Sequence, residues 1–227
     1  MEHIQTYLDA AVLRPEMTRD EVRQAIQESI QWKTRTVCVR PCDIALAREM
    51  TRDSETQVSC VLAFPHGTTT TTVKAFEAEE YCKLGTDEID MVAPYGMIKS
   101  GEWDYVLNDI SAVATVCKRH NVLLKVIFET CYLTAEEIAK TTELCIQAGA
   151  DFVKTSTGFG KEGASFDAVR IMLDTAKGRI QVKPSGGIRT KETAEAYIAM
   201  GATRLGTNYS ANEALIKGTP TSTGSGY

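Results

Sequence analysis

The sequence predicts a (β/α)8 TIM barrel, an α/β fold of eight parallel strands, and three observations support that prediction. Short β-rich runs alternate with amphipathic stretches along all 227 residues, a pattern typical of a parallel sheet. Seven strands stand out, and an eighth fits ahead of the break at Arg14-Pro15. Glycine-rich turns follow the late strands, at 158–163 and at Gly186-Gly187, as at the phosphate-binding end of a barrel. The rival architecture, a doubly wound open sheet, would carry such a turn after its first strand.

The candidate elements follow one another in regular order. The candidate strands are 7–13, 37–39, 57–63, 88–92, 123–128, 151–155, 180–185 and 203–207. Helical patterns lie between them, with examples at 72–84, 104–120, 134–148 and 191–200. Thr134 followed by Glu137 predicts a capping box at the start of the third of these helices. Gly85, Gly149 and Gly201 stand where three helices are expected to end.

Length and composition indicate one domain. We predict a single barrel over residues 1–217 and a loose tail, rich in Gly, Ser and Thr, over 218–227. The formal net charge of −5 gives no support for a nucleic-acid partner, because a phosphate backbone demands a basic face. No apolar run approaches the roughly 18 residues that span a bilayer. The N-terminus lacks the features of a signal peptide, so a cytoplasmic protein is expected.

The cysteines and histidines show no metal-binding pattern. Seven cysteines are scattered without a CxxC pair, and the three histidines have no ligand spacing. Zinc-site spacing and thioredoxin-type chemistry therefore both lack support. We expect reduced thiols in or near the core, and no metal.

Ionisable residues in the middle of apolar strand patterns are the most informative feature. They are Asp90, Lys125, Lys154 and Lys183, on four separate strands. One such residue could be a strand end that reaches solvent, because Lys and Asp are almost never fully buried unless paired. Four of them fit a catalytic site better, since barrel enzymes draw catalytic residues from the ends of several strands.

Two lysines and one carboxylate suit imine chemistry on a carbonyl. A lysine nucleophile must be neutral, and burial or a neighbouring cation lowers its pKa. Two positive charges about 5 Å apart, at an effective dielectric of about 20, repel by roughly 3 kcal/mol, or about two pKa units. Lys154 and Lys183 lie on neighbouring candidate strands, so such a pair is geometrically reasonable. Asp90 would then move protons.

Five ordered motifs closely resemble the deoxyribose-phosphate aldolases. The stretch 149–159 resembles their Schiff-base strand, and 182–190 resembles their second-lysine strand. The stretches 61–67, 88–92 and 123–130 also fit, in the right order. The resemblance runs from about residue 8 to residue 210 and is far more specific than a single short motif.

The resemblance implies a class I aldolase that cleaves 2-deoxy-D-ribose 5-phosphate to D-glyceraldehyde 3-phosphate and acetaldehyde, with no cofactor. It implies that Lys154 forms the imine, that Lys183 lowers the pKa of Lys154, and that Asp90 acts with a bound water as the acid/base. Lys125 resembles a further cation of the inner network, although it could equally serve to balance Asp90. Cys38 matches a pocket-facing cysteine of some members, and a core thiol is just as plausible.

The phosphate end departs from the family pattern. By resemblance, phosphate is held by glycine amides and by a serine pair in the last turn, where this chain has Asn208 and Tyr209. Tyrosine is much larger than serine and could fill part of the pocket. One interpretation is neutral drift with phosphate still bound; the other is an altered acceptor end that favours unphosphorylated 2-deoxyribose or other aldehydes and ketones. Ala11 likewise replaces a threonine. The candidate substrate-binding residues at this end and around the site are Asp9, Thr155, Gly158, Gly186, Gly187 and Thr207.

Two other classes of function remain open at this point. A related Schiff-base enzyme could use a different donor, or transfer a group as a transaldolase does. A sugar-phosphate sensor on a catalytically dead barrel is the non-enzymatic alternative, although it would have no need of Lys154, Lys183 and Asp90 together. The expected partners are small aldehydes and sugar phosphates. A homodimer is common for this fold, but no interface signature is visible in the sequence.

Overall fold

The structure is a computed structural model that describes residues 3–219, and eight parallel strands in it confirm the predicted barrel. Most predicted strand positions agree with it to within two residues. The run predicted at 180–185 is shorter, because Pro184 has no amide hydrogen with which to continue the ladder. The strands are β1 Leu8–Val12, β2 Thr36–Val39, β3 Gln57–Leu62, β4 Glu88–Val92, β5 Leu123–Ile127, β6 Phe152–Lys154, β7 Gln181–Lys183 and β8 Leu205–Asn208.

The strands pair in chain order, from β7 through β1, and β8 pairs with β1. The remaining gap, between β7 and β8, is closed by a parallel bridge between Ser185 and Gly206. The amide of Gly206 donates to the carbonyl of Pro184 at 2.8 Å, and the amide of Gly186 donates to the carbonyl of Gly206 at 3.3 Å. These bonds make the sheet a nearly closed barrel.

The helices cover the outside of the barrel. The predicted capping box is present at the start of α6: Glu137 N–H donates to Thr134 Oγ1 at 3.2 Å, and Thr134 N–H donates to the Glu137 carboxylate at 2.7 Å. Gly149 and Gly201 end α6 and α8 in the left-handed conformation, as predicted. The helices are α1 Arg19–Gln31, α2 Ile44–Met50, α3 Thr71–Lys83, α4 Tyr95–Lys99, α5 Trp103–His120, α6 Ala135–Ala148, α7 Phe166–Ala176, α8 Lys191–Met200 and α9 Asn212–Lys217.

Two apolar layers surround the candidate site. The main core lies between the outward faces of the strands and the helices, with Val37 and Ile110 as typical members. A small second layer lies inside the barrel near its mouth and consists of Ala11, Leu13, Cys38 and Val61. We call this second group the mouth layer. Charged side chains fill the barrel interior beneath it.

Two further features concern the C-terminal end of the chain and the possibility of a membrane-spanning helix. Gly218 ends α9 with a φ of 71°, and residues 220–227 of the predicted tail lie outside the described residues. Within residues 3–219, no helix combines the length and apolar character that a membrane span requires.

Gly206 lies where β8 meets the segment after β7, which we call the barrel seam, and we expect a larger residue there to destabilise the fold. A Cβ atom there would lie 2.4 Å from the Ser185 hydroxyl, 2.8 Å from Ser185 Cβ and 3.3 Å from Cε of Lys183. We expect Gly206→Ala to lower the free energy of unfolding by about 1–3 kcal/mol, as overpacking does, measured by urea denaturation. Gly96→Ala is the matched control, because a Cβ at Gly96 meets nothing within 4 Å. Equal stability of the two variants would contradict this account of the seam.

Candidate active site

Strand alternation brings the four predicted ionisable residues together inside the barrel. Asp90 of β4 is the register partner of Lys125 of β5, and Lys154 of β6 is the partner of Lys183 of β7. Successive side chains of a strand point to opposite faces, so these four share the inner face. All four are buried, with Lys154 only 3% exposed. A strand end that reaches solvent is therefore not the explanation for these residues.

Asp90 is the centre of the cluster. Its Oδ2 accepts hydrogen bonds from Lys154 Nζ at 2.8 Å and from Lys183 Nζ at 2.7 Å. Its Oδ1 accepts from Lys125 Nζ at 2.6 Å. Because Lys154 and Lys183 bond the same oxygen, their two amine nitrogens are separated by less than the length of two hydrogen bonds.

A second row of charges lies deeper in the barrel. Asp9 accepts from Lys183 Nζ at 2.5 Å, from Arg204 at 2.8 Å and from the Thr36 hydroxyl at 2.9 Å. Glu88 accepts from Arg204 at 2.8 and 3.0 Å and pairs with Lys125 at 2.5 Å. The residues not foreseen are Glu88, Arg204 and Thr36. Glu88 carried a usable signal, because it stands two residues before Asp90 and so shares its face of the strand.

We call the buried charged side chains of both rows the lysine network, and its cations keep Asp90 and Asp9 ionised. Burial by itself would raise the pKa of Asp90, but the three lysines outweigh burial and hold that pKa well below its usual range. The pKa of Asp9 is lowered in the same way, against burial, by Lys183, Lys125 and Arg204. Burial would lower the pKa of Lys125, yet the surrounding carboxylates raise it well above its usual value. The network consists of Asp9, Glu88, Asp90, Lys125, Lys154, Lys183 and Arg204.

The network contains four basic and three acidic side chains, which leaves one positive charge in excess. One neutral lysine would balance it. Among the described residues, Lys125 pairs with three carboxylates and Lys183 with two, whereas Lys154 pairs with Asp90 alone. Lys154 is therefore the lysine of the network with the fewest ion pairs. A buried, neutral amine is a nucleophile for carbonyl carbon.

Comparison with known proteins decides the family. A model of the DeoC/LacD family of aldolases matches residues 4–210. This chain belongs to that family. The deoxyribose-phosphate aldolase of Mannheimia succiniciproducens is 46% identical over 96% of this chain and 95% of its own length. Deoxyribose-phosphate aldolase 1 of Staphylococcus aureus is also 46% identical, over 88% of this chain and 90% of its own.

Solved structures give the same family and fold. A structure described as "QR15, an Aldolase" superposes with a TM-score of 0.90 at 39% identity, over 96% of this chain and 97% of the other. A deoxyribose phosphate aldolase from Aeropyrum pernix, whose title describes a unique tetrameric structure, has a TM-score of 0.87 at 26% identity, over 95% and 90% of the two chains. This chain is therefore an aldolase of the lyase class, with a barrel like that of its relatives.

Above the lysines, the interior of this aldolase is apolar. Cys38 of β2 is the register partner of Ala11 of β1, and both belong to the mouth layer. Burial, together with Asp90, raises the pKa of the Cys38 thiol, so the thiol stays protonated. Phe64, which follows β3, packs against this layer. Within residues 3–219, no group of three or more His, Cys, Asp or Glu side chains is arranged so that it could hold a metal ion.

The glycines predicted to bind phosphate differ in their surroundings. The Gly186 amide already bonds the carbonyl of Gly206, so it closes the sheet. Gly158 and Gly187 are in the left-handed region, with φ of 87° and 75°. A Cβ at Gly187 would meet nothing within 4 Å, so its backbone borders open space. Thr155 links β6 to the segment after β7, since its hydroxyl donates to Ser185 O at 3.2 Å and accepts from Ser185 N–H at 3.0 Å.

The turn after β8 is organised by its own hydrogen bonds. Asn208 Oδ1 accepts from the amide and from the hydroxyl of Ser210, both at 3.0 Å. Asn208 is the register partner of Ala11 and so shares the inner face. Thr207 lies on the opposite face, buried, and its hydroxyl has no hydrogen-bond partner among the described residues. Tyr209 packs against the main core.

Proposed function

We propose that this chain is a class I aldolase that cleaves 2-deoxy-D-ribose 5-phosphate to D-glyceraldehyde 3-phosphate and acetaldehyde through a Schiff base on Lys154. The observation that carries the proposal is the position of the Lys154 amine. It is buried in a network of four basic and three acidic side chains, and among residues 3–219 it forms an ion pair with Asp90 alone. The relatives named deoxyribose-phosphate aldolase support the choice of substrate.

The steps follow from the groups that surround that amine. Neutral Lys154 attacks the C1 aldehyde of the open-chain sugar, and loss of water from the carbinolamine gives an iminium ion. The C3 hydroxyl then loses its proton and the C2–C3 bond breaks. Its electron pair moves to C2 and neutralises the iminium as an enamine, and glyceraldehyde 3-phosphate leaves. Protonation at C2 and hydrolysis release acetaldehyde and restore Lys154.

Asp90 and Lys183 have distinct parts in these steps. Asp90 stays a carboxylate in the resting site because its pKa is held low. It stabilises each cationic form of Lys154 and passes protons to and from water at the carbinolamine and enamine stages. Lys183, bonded to the same oxygen, is the cation that favours a neutral Lys154.

The atypical turn after β8 raises a second candidate function, the cleavage of unphosphorylated 2-deoxyribose. The Asn208 Oδ1 atom and the Gly186 amide are engaged in local hydrogen bonds. The backbone around Gly158 and Gly187 can still meet an anion. Backbone amides in left-handed turns form anion-binding concavities, so the phosphorylated sugar is the first choice.

We expect kcat/KM for 2-deoxyribose 5-phosphate to exceed that for 2-deoxyribose by about 10- to 100-fold, the effect of one or two charge-assisted hydrogen bonds. Product aldehyde is measured with a coupled dehydrogenase under matched conditions. Equal values would overturn the phosphorylated substrate in favour of the second candidate. A parallel screen with acetaldehyde, acetone and pyruvate as donors tests for a related Schiff-base enzyme.

Two further expectations stand beside the reaction. A homodimer is the proposed assembly, since dimers are common for this fold; the tetramer belongs to the Aeropyrum pernix protein by its title. The cytoplasm is the proposed location, where the scattered cysteines would stay reduced.

A further inference from the structure

Glu129 is a buried carboxylate that forms no ion pair with the lysine network among the described residues. It stands two residues after the end of β5 and is 2% exposed. Its carboxylate accepts hydrogen bonds from the hydroxyl of Thr157 and, at 3.3 Å, from the amide of the same residue. Burial raises the pKa of Glu129, and the bonds from Thr157 offset part of that rise. Among the described residues, the only hydrogen-bond donor to this carboxylate is therefore Thr157, in the loop after β6.

The same threonine hydroxyl fixes the next turn of the loop. Phe159 N–H donates to Thr157 Oγ1 at 3.0 Å, so the hydroxyl links the Glu129 carboxylate to the backbone of Phe159. Gly160 lies directly on the carboxylate, because a Cβ there would come within 2.9–3.1 Å of its atoms. The segment 157–160 is thus wrapped around Glu129.

Phe159, held in this way, reaches across the mouth of the barrel. Its ring meets Phe64 edge to face, with centroids 5.3 Å apart and an interplanar angle of 86°. Phe64 follows β3 and Phe159 follows β6, three strands away in the sheet. Phe64 in turn packs on the mouth layer, which contains Cys38. The aromatic pair therefore lies over the interior that holds Lys154.

The backbone on both sides of this contact is unusual. Ala63, next to Phe64, and Glu129 have φ of 51° and 56°, a left-handed conformation that is unfavourable for residues other than glycine. The other such residues, Lys33, Asn121 and Lys177, lie at or beside helix ends, where this conformation is common. Strained residues that cluster at one place point to a functional constraint there.

We propose that Phe64 and Phe159 form an aromatic gate over the mouth, and that Glu129 and Thr157 are positioning residues that keep Phe159 closed. The gate decides which carbonyl compounds reach Lys154: flexible open-chain aldehydes pass, and aldehydes with a rigid aromatic ring on the carbonyl carbon are held back. This role rests on the proposed function, because it concerns access to the Schiff-base lysine. The closed state itself can be measured without catalysis.

Alkylation of Cys38 reports the gate independently of activity. Cys38 is 2% exposed and lies in the layer on which Phe64 packs. We expect Phe159→Ala to raise its rate of reaction with iodoacetamide by about 3- to 10-fold, the effect of one lost aromatic pair, followed by peptide mass mapping. Phe159 is 40% exposed, so the variant keeps its fold. Phe76→Ala, which removes a 67% exposed ring on α3, is the matched control and leaves the rate unchanged.

The positioning residues are tested by a conservative pair. Thr157→Val removes the hydroxyl and is expected to raise the rate of Cys38 alkylation as Phe159→Ala does. Thr157→Ser keeps the hydroxyl and is expected to keep the slow rate of the unmodified protein. Glu129→Gln retains an acceptor and gives an intermediate rate. If Thr157→Val and Thr157→Ser both react like the unmodified protein while Phe159→Ala is fast, the gate stands and the positioning role is wrong.

Borohydride trapping separates failure of the gate from failure of the proposed function. With benzaldehyde as the probe, we expect Phe159→Ala to form the reduced Lys154 adduct about 3- to 10-fold faster than the unmodified protein, while acetaldehyde reacts equally fast in both. Absence of the acetaldehyde adduct in the unmodified protein would overturn the Schiff-base function, whatever the rates of Cys38 alkylation. If the acetaldehyde adduct forms normally, and if Cys38 alkylation and benzaldehyde trapping are as fast in Phe159→Ala as in the unmodified protein, the gate alone is overturned.

Discussion

Lys154→Leu is expected to abolish the adduct that acetaldehyde and borohydride leave on the protein, and to lower kcat/KM by at least about 10⁴-fold, since it removes the covalent nucleophile. In the unmodified protein, intact-mass measurement should show one added ethyl group, and peptide mapping should place it on Lys154. No neighbouring amine can replace this one. Among the described residues, Lys183 and Lys125 are bound in ion pairs with two and three carboxylates.

The same substitution should leave the barrel folded. Lys154→Leu leaves three basic and three acidic side chains in the network, and their formal charges balance. Removing one partner of a buried pair is damaging when it strands the other charge, but Asp90 keeps Lys125 and Lys183. We therefore expect a free energy of unfolding within about 1 kcal/mol of the original.

Lys74 provides the matched control for that experiment. It is a buried lysine outside the lysine network, on α3, and it bonds Asp109 at 2.6 Å and the carbonyl of Val92 at 3.0 Å. Lys74→Met strands the Asp109 carboxylate and should cost about 3–5 kcal/mol of stability, yet it should leave the ethyl adduct on Lys154. An adduct that persists in Lys154→Leu, or disappears in Lys74→Met while the protein is folded, would refute the assignment of Lys154.

The local signals in the sequence were sufficient for most of the barrel. The predicted strand at 88–92 coincides with Glu88–Val92, because aliphatic residues there alternate around charged ones. The capping box at Thr134 fixed the start of α6. The end of β7 was placed too late, at 185, since the sequence pattern continues through Pro184 while the backbone ladder cannot.

The site was predictable only to the extent that it lies on strands. A charged residue inside an apolar strand is visible in one segment of sequence, and this pattern identified Asp90 and Lys154 as candidate site residues. Arg204 precedes β8 and Glu88 begins β4, so each reads alone as an ordinary strand end. Their pairing depends on which strands face each other across the barrel. The direction of Tyr209, packed on the main core, likewise depends on tertiary packing.

Asp90→Asn is expected to destabilise the protein strongly, because three lysines donate hydrogen bonds to the Asp90 carboxylate. The substitution keeps the shape of the side chain but removes its charge, which leaves four basic side chains against two acidic ones in the network. Stranding buried cations in this way should lower the free energy of unfolding at pH 7 by about 3–5 kcal/mol. Asp53→Asn, at an exposed position on the surface, is the matched control and should change it by less than about 0.5 kcal/mol.

The pH dependence distinguishes this charge effect from a simple loss of packing. The pKa of Asp90 in the folded protein lies well below its ordinary value of 3.8, so its contribution is present above pH 3.8 and is lost as the pH falls through the folded value. The difference between the unmodified protein and Asp90→Asn should therefore be full at pH 7 and at pH 5 and should shrink below about pH 3.8. Urea denaturation at several pH values measures it. A difference that stays constant down to pH 3 would mean that the asparagine disturbs packing, and that the lysine network contributes nothing through the charge of Asp90. A difference that shrinks on acidification ties the ionised Asp90 to the stability of the network around Lys154.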